Sequence, residues 1–177
     1  YSDATKGWIP TLDKAVEDVP SKTYPNDNGI FGFGGAGASR YGVTNIVSNA
    51  GVVASDVAAV GTARRSLGAC EYGGDKAIFG FGYTSSDSDA TNLVSNAGVV
   101  ATDVTGVGSA RDGLMACSFA GDKGIFAFGS TSGFTAISNL VSNAGVVAAD
   151  VTGVGTARYY GAACEYGSNK GIFGFGQ

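Results

Sequence analysis

The chain has 177 residues, 44% of them apolar, with 30 glycines, three prolines, no histidine and a formal net charge of −4. The glycines argue against a helical protein, since each one inside a helix costs about 1 kcal/mol against alanine, and the acidic balance argues against nucleic acid, whose phosphates it repels. No apolar run approaches the roughly 18 residues that cross a bilayer, so no membrane insertion is expected, and the apolar fraction is enough for a single domain over 1–177.

The first 16 residues diverge from the rest, and WIPTL and KAVEDV are their strand candidates. From about residue 17 the chain repeats itself. The phrases DNGIFGFG (27–34), DKAIFGFG (75–82), DKGIFAFG (122–129) and NKGIFGFG (169–176) place Ile30, Ile78, Ile125 and Ile172 at steps of 48, 47 and 47 residues. NAGVV begins at Asn49, Asn96 and Asn143, and an arginine follows alanine at Arg64, Arg111 and Arg158. This is a tandem repeat, with units at 17–63, 64–110 and 111–157 and a half unit at 158–177.

Within the unit 111–157, four segments have strand character: LMACSF (114–119), GIFAFG (124–129), ISNLVSNAGVV (137–147) and DVTGVG (150–155). Alternation in GIFAFG places Phe126 and Phe128 on one face and Ile125 and Ala127 on the other. In the sister copies the small position is Gly32, Gly80 or Gly174, which lets a neighbouring sheet come close. GGDK (73–76), AGDK (120–123) and GSNK (167–170) read as hairpin turns, with Asp75, Asp122, Lys76, Lys123 and Lys170 as turn residues.

Four strands in a 47-residue unit predict an all-β chain forming a small β-propeller of about four blades. The half unit supplies two strands, YYGAACEY and GIFGFG, and residues 1–16 are long enough to supply two more, so the termini are expected to share one blade. Pairing of half units between chains, giving a homo-oligomeric ring or an extended assembly, is the alternative.

The stretch ARDGLMACSFAGDKGIFAFG followed by SNLVSNAGVV resembles a kelch repeat, as do its two neighbouring copies. Arginine precedes the first strand, a polar turn follows, and an aromatic strand ends in glycine. The double glycine of that pattern stands only at Gly34 and Gly35, and its outer tryptophan is absent, Trp8 being the chain's single one. The resemblance implies a propeller built of blades. The wording NLVSNAGVV..DVTGVG.AR is also similar to Gly-rich repeats of bacteriophage virion and tail-fibre proteins, which implies a virion or extracellular setting.

The segments after the FGFG strand differ most between copies: GAGASRYGVT (35–44), YTSSDSDAT (83–91) and STSGFTAIS (130–138). As loops on a fixed scaffold they make Arg40, Tyr41, Tyr83, Asp87, Asp89 and Phe134 the candidate binding residues. Asp87 and Asp89 lack the glycine-bearing twelve-residue loop of a calcium site. Arg64, Arg111 and Arg158, with Asp56, Asp103 and Asp150 eight residues before them, are expected to lock one blade to the next. Cys70, Cys117 and Cys164 occupy one repeat position; an odd set is no disulfide framework and reads as small buried side chains. A three-thiol metal site would need a fourth ligand near Thr23, so neither metal nor cofactor is expected.

Without histidine there is no Ser/His/Asp or Cys/His arrangement. Glu71 and Glu165, with Ser118 between them in the repeat, are the carboxylates an acid–base reaction in a central channel would use, and repeat drift explains them more simply. The expectation is therefore a non-enzymatic structural or attachment component whose partners are other proteins of an assembly. A lectin-like disc recognising surface glycans is the alternative.

Overall fold

The structure is a computed structural model that describes residues 27–177, all of whose regular structure is β. Ten strands run in chain order: β1 (Gly29–Ala36), β2 (Ser39–Val47), β3 (Gly68–Tyr72), β4 (Lys76–Gly80), β5 (Thr91–Val94), β6 (Met115–Phe119), β7 (Lys123–Ala127), β8 (Ser138–Val141), β9 (Ala162–Tyr166) and β10 (Lys170–Gly174). They form four antiparallel sheets, β1-β2, β3-β4-β5, β6-β7-β8 and β9-β10. The strand candidates WIPTL and KAVEDV, and the shared blade they would complete, lie outside the described residues.

The pairing recurs at the step of the sequence. Cys70 faces Ile78, Cys117 faces Ile125 and Cys164 faces Ile172 across the hairpins β3-β4, β6-β7 and β9-β10. Phe79 faces Asn92 and Phe126 faces Asn139 across the second. The hairpins GGDK and AGDK turn through two successive left-handed residues, Gly73 and Gly74 in one copy and Ala120 and Gly121 in the other.

Two expectations change. The segment ISNLVSNAGVV is not one strand: β8 stops at Val141, Ser142 caps a tight turn by accepting from Ala144 and Val146 N–H, and the chain returns through a bridge between Val141 and Val147. DVTGVG then contributes only the bridge from Val151 to Ser138. The alternation in GIFAFG also fails at its second phenylalanine. Phe33, Phe81, Phe128 and Phe175 all have φ between 61° and 63°, a left-handed reversal, so β4, β7 and β10 stop before this residue, and β1 runs on only past an irregularity between Gly32 and Gly34.

That reversal sends the second phenylalanine toward the following sheet. Phe33 meets Phe79 edge-on at 5.2 Å, Phe81 meets Phe126 at 5.3 Å, and Phe128 lies 5.7 Å from Phe173. Two core clusters result, one around Ile78, Phe81, Phe126 and Val141, the other around Phe79, Val94 and Val100. The small residue of the phrase works as expected where a next sheet exists: a Cβ on Gly80 would stand 2.7 Å from the Phe126 ring, and one on Gly32 3.0 Å from Phe79, while Gly174 faces open space.

Candidate functional site

Two of the repeated arginines, Arg64 and Arg111, are each fixed by a set of acceptors around their own sheet, whereas Arg158 among the described residues makes only a 3.4 Å hydrogen-bond contact, to Phe173 O. Arg64 is fully buried and donates from Nε to Phe81 O (2.8 Å), from Nη1 to Thr62 O (3.2 Å) and from Nη2 to Asn92 Oδ1 (2.6 Å), with Asp103 at 3.6 Å. Arg111 repeats this with Phe128 O, Ser109 O, Asn139 Oδ1 and Asp150. Asn92 and Asn139, also fully buried, donate onward to Asp103 and Asp150. Burial pushes the Arg111 guanidinium down to about 10 and lowers that of Arg64, with the facing aspartates acting the other way. Burial pushes Asp103 and Asp150 upward, but bonds from Thr62, Ser109 and the two asparagines outweigh it and leave both lowered.

The expected Arg–Asp contacts therefore form with a different pairing. Asp103 stands eight residues before Arg111 but faces Arg64, and Asp150 faces Arg111. Asp56 accepts from Asn45 instead, at 2.8 Å. What reaches across sheets is the flat face of the cation: Arg64 lies over Phe33, Arg111 over Phe81 and Arg158 over Phe128, at 4.3, 4.1 and 4.5 Å. The buried asparagines were missed by the sequence reading, although Asn45, Asn92 and Asn139 recur at the repeat step and so were visible in it.

A second cluster forms where the arginine segments enter and the middle strands exit. Arg65 and Tyr83 exchange backbone hydrogen bonds, and Asp112 and Ser130 do the same one unit on. Tyr83 carries the guanidinium of Arg40 at 5.2 Å and that of Arg65 at 5.3 Å from its ring centre. Phe134 stacks on Tyr159 at 4.6 Å, and Tyr159 leans on Tyr160 at 4.4 Å. Ser66 and Tyr160 share a 3.0 Å hydroxyl contact, while Gly113 N–H donates to Ser66 O and Tyr160 N–H to Gly113 O, tying three units together. Asp87 is raised by burial, and Asp112 by burial and then by the charge of Asp87.

Of the six candidate binding residues, Tyr83, Asp87 and Phe134 belong to this cluster, joined by Arg40 through its stacking. Arg40 and Tyr41 do not lie in a loop, because β1 and β2 continue as a long hairpin through that segment with only Gly37 and Ala38 at its tip. Tyr41 is exposed, and Asp89 is half-buried beside Gly106. Arg65, Asp112, Tyr159 and Tyr160 complete the cluster and were not singled out from sequence, because they lie at the arginine end of the unit and not in the variable segment after the FGFG strand.

The thiols of Cys70 and Cys117 are buried and free, and burial pushes them up to about 12 and about 11; Cys164 is exposed. Among the described residues no group of three His, Cys, Asp or Glu is placed to hold a metal. Glu71, Ser118 and Glu165 line a small cavity of about 60 Å³, where Ser118 Oγ donates to Glu165 at 2.9 Å.

No protein-family model and no curated protein matches the chain. A solved structure titled "Structure of YjhT" is similar, with a TM-score of 0.55 and 16% identity over 73% of this chain and 44% of that one. The likeness is one of fold, and the chain spans less than half of that neighbour's length.

Proposed function

We propose that the four sheets are successive blades of a kelch-like β-propeller and that the chain is a non-enzymatic docking component of a virion or other extracellular assembly. The observation that carries this reading is the state of the two end faces. Inside the array each phenylalanine pair is shared between neighbouring sheets, yet Phe31 of the first sheet is 67% exposed and Phe175 of the last is 90% exposed. These are the positions that Phe79 and Phe81 occupy in the interior, where both are buried. Large apolar side chains exposed on both outer sheets of the described residues are what a surface covered in an assembly presents.

Native mass at low concentration, compared between the parent chain and Phe175→Ser, tests this. A defined assembly that the substitution dissolves supports it; a monomer whose mass and solubility are unchanged by Phe175→Ser refutes it. The row Phe134, Tyr159 and Tyr160 favours a second reading, a lectin-like disc, because exposed aromatic faces stack on sugar rings. Saturable glycan binding lost in Tyr160→Ser would move the conclusion there.

A further inference from the structure

Three equivalent junctions between units lie together, tied by the hydroxyl contact of Ser66 and Tyr160, and each brings together two residues of the same kind. At every junction a residue of the variable segment meets one from the entry of the next unit. The entry residues Arg65, Asp112 and Tyr159 stand at one repeat position. At the first junction Arg40 and Arg65 share the Tyr83 ring, at 5.2 and 5.3 Å from its centre. At the second, Arg111 N–H donates to Ser88 O at 3.4 Å, which brings the adjoining Asp112 and Asp87 to one place. At the third, Phe134 stacks on Tyr159. The stripe thus runs basic, acidic, aromatic.

Paired like charges are a cost to a chain on its own. Asp112 is raised by burial and then by Asp87, and Arg65 acts the other way without making an ion pair with it among the described residues. Arg65 is turned instead to Gly37 O, to which Nη1 donates at 2.7 Å. Arg40 reaches Ala38 O at 3.4 Å, and its Nε is buried with no partner among the described residues. The two pairs are neighbours, since Tyr83, which carries both guanidiniums, is bridged to Asp87, yet neither neutralises the other. Charges held apart in this way suit a partner that supplies the opposite sign at each place.

We propose that this surface is a self-complementary interface between two copies of the chain, in which Arg40 and Arg65 of each copy meet Asp87 and Asp112 of the other. A basic pair beside an acidic pair is the pattern a two-fold contact requires. Half a turn about an axis between the pairs lays each on its opposite, so one patch serves both partners. The proposal does not rest on the end faces that carry Phe31 and Phe175.

The test is a charge exchange read by sedimentation equilibrium. The parent chain should dimerise at about 50 mM salt and associate at least roughly tenfold more weakly at about 500 mM, as the screening length falls from roughly 14 Å to roughly 4 Å. Arg40→Glu with Arg65→Glu leaves only acidic groups in the patch, and Asp87→Lys with Asp112→Lys only basic ones. Each variant alone should be monomeric. Their mixture should form a one-to-one heterodimer, because every contact across the two-fold axis is again between opposite signs. Thermal midpoints near that of the parent show that each variant is folded. Where one is not, the neutral set Asp87→Asn with Asp112→Asn takes its place and should lose the salt-dependent association. A parent chain that is monomeric at low salt, self-association unmoved by the variants, or a mixture of folded variants that stays monomeric would each overturn the proposal. Phe31 and Phe175 are unchanged throughout. Association that survives high salt but is dissolved by Phe175→Ser belongs to the end faces, so this test and the native-mass test fail separately.

Discussion

Replacement of Arg111 by alanine should be among the most damaging single changes in the chain, and the same change at Arg158 among the mildest. Arg111→Ala strips the charged donor from Phe128 O, Ser109 O and Asn139 Oδ1 and leaves Asp150 without its cation. Breaking a buried ionic network by removing one partner costs about 3–5 kcal/mol. Loss of the stacking on Phe81, at 4.1 Å, adds about 1 kcal/mol. For a chain of this length each kcal/mol moves the midpoint by about 2–4 °C, so a fall of roughly 10–20 °C is expected. Arg158→Ala forfeits one long contact and one ring contact, about 1 kcal/mol in all, or a few degrees. Arg111→Lys keeps the charge but not the planar fork, and should fall between them. Scanning calorimetry of the three variants decides the matter. Equal midpoints for Arg111→Ala and Arg158→Ala would show that the acceptors, and not the repeat position, were wrongly credited with the stability.

Three further outcomes follow from the same geometry. Gly80→Val should destabilise by about 1–3 kcal/mol through overpacking against Phe126, whereas Gly174→Val, facing open space, should stay within about 0.5 kcal/mol of the parent in urea titration. In the native chain at pH 8 a maleimide should modify Cys164 alone, with Cys70 and Cys117 labelled only after unfolding, as intact mass would show. Asp112 is raised in the folded state, so its ionisation opposes folding once pH exceeds that raised value. Asp112→Asn should therefore stabilise the chain at neutral pH, and the gain should vanish as pH falls below the unfolded value of 3.8; a gain that persists in acid would mean the charge was not its cause.

The β character, the step of 47 residues and the first hairpin of each unit were legible because they rest on local chemistry: short apolar runs, left-handed turn residues and a phrase repeated four times. The arginine contacts were legible only in kind. Spacing pairs each arginine with the aspartate eight residues before it, but the sheet brings in the aspartate 39 residues after it, Asp103 for Arg64 and Asp150 for Arg111. Sequence distance has no bearing on which strand lies nearest in a sheet. The cluster around Tyr83 was half legible: variation between copies points to Tyr83, Asp87 and Phe134, but Arg65, Asp112 and Tyr160 enter it from the other end of the unit. Arg40 and Tyr41 were misplaced because strand propensity and loop variability look alike in a Gly-rich hairpin whose arms have eight and nine residues.

The left-handed phenylalanines bear on whether the end faces are ready for a partner. A bulky residue in this region of backbone space costs about 1–3 kcal/mol and persists only where its surroundings hold it there. In the interior the neighbouring unit could be what holds it, since Gly82 N–H donates to Arg111 O and the Phe81 ring lies between Arg111 and Phe126. Phe175 separates the two causes. It has no following sheet among the described residues and is 90% exposed, yet its φ is 61°, the value found at Phe81. The contacts that remain to it are those of its own unit, where Tyr159 and Gln177 exchange backbone hydrogen bonds as Arg65 and Tyr83 do. The reversal is thus set within the unit and does not depend on a neighbouring sheet. The docking proposed above would then need no rearrangement of the end face, because the ordering cost that weakens most flexible recognition surfaces is already met by folding.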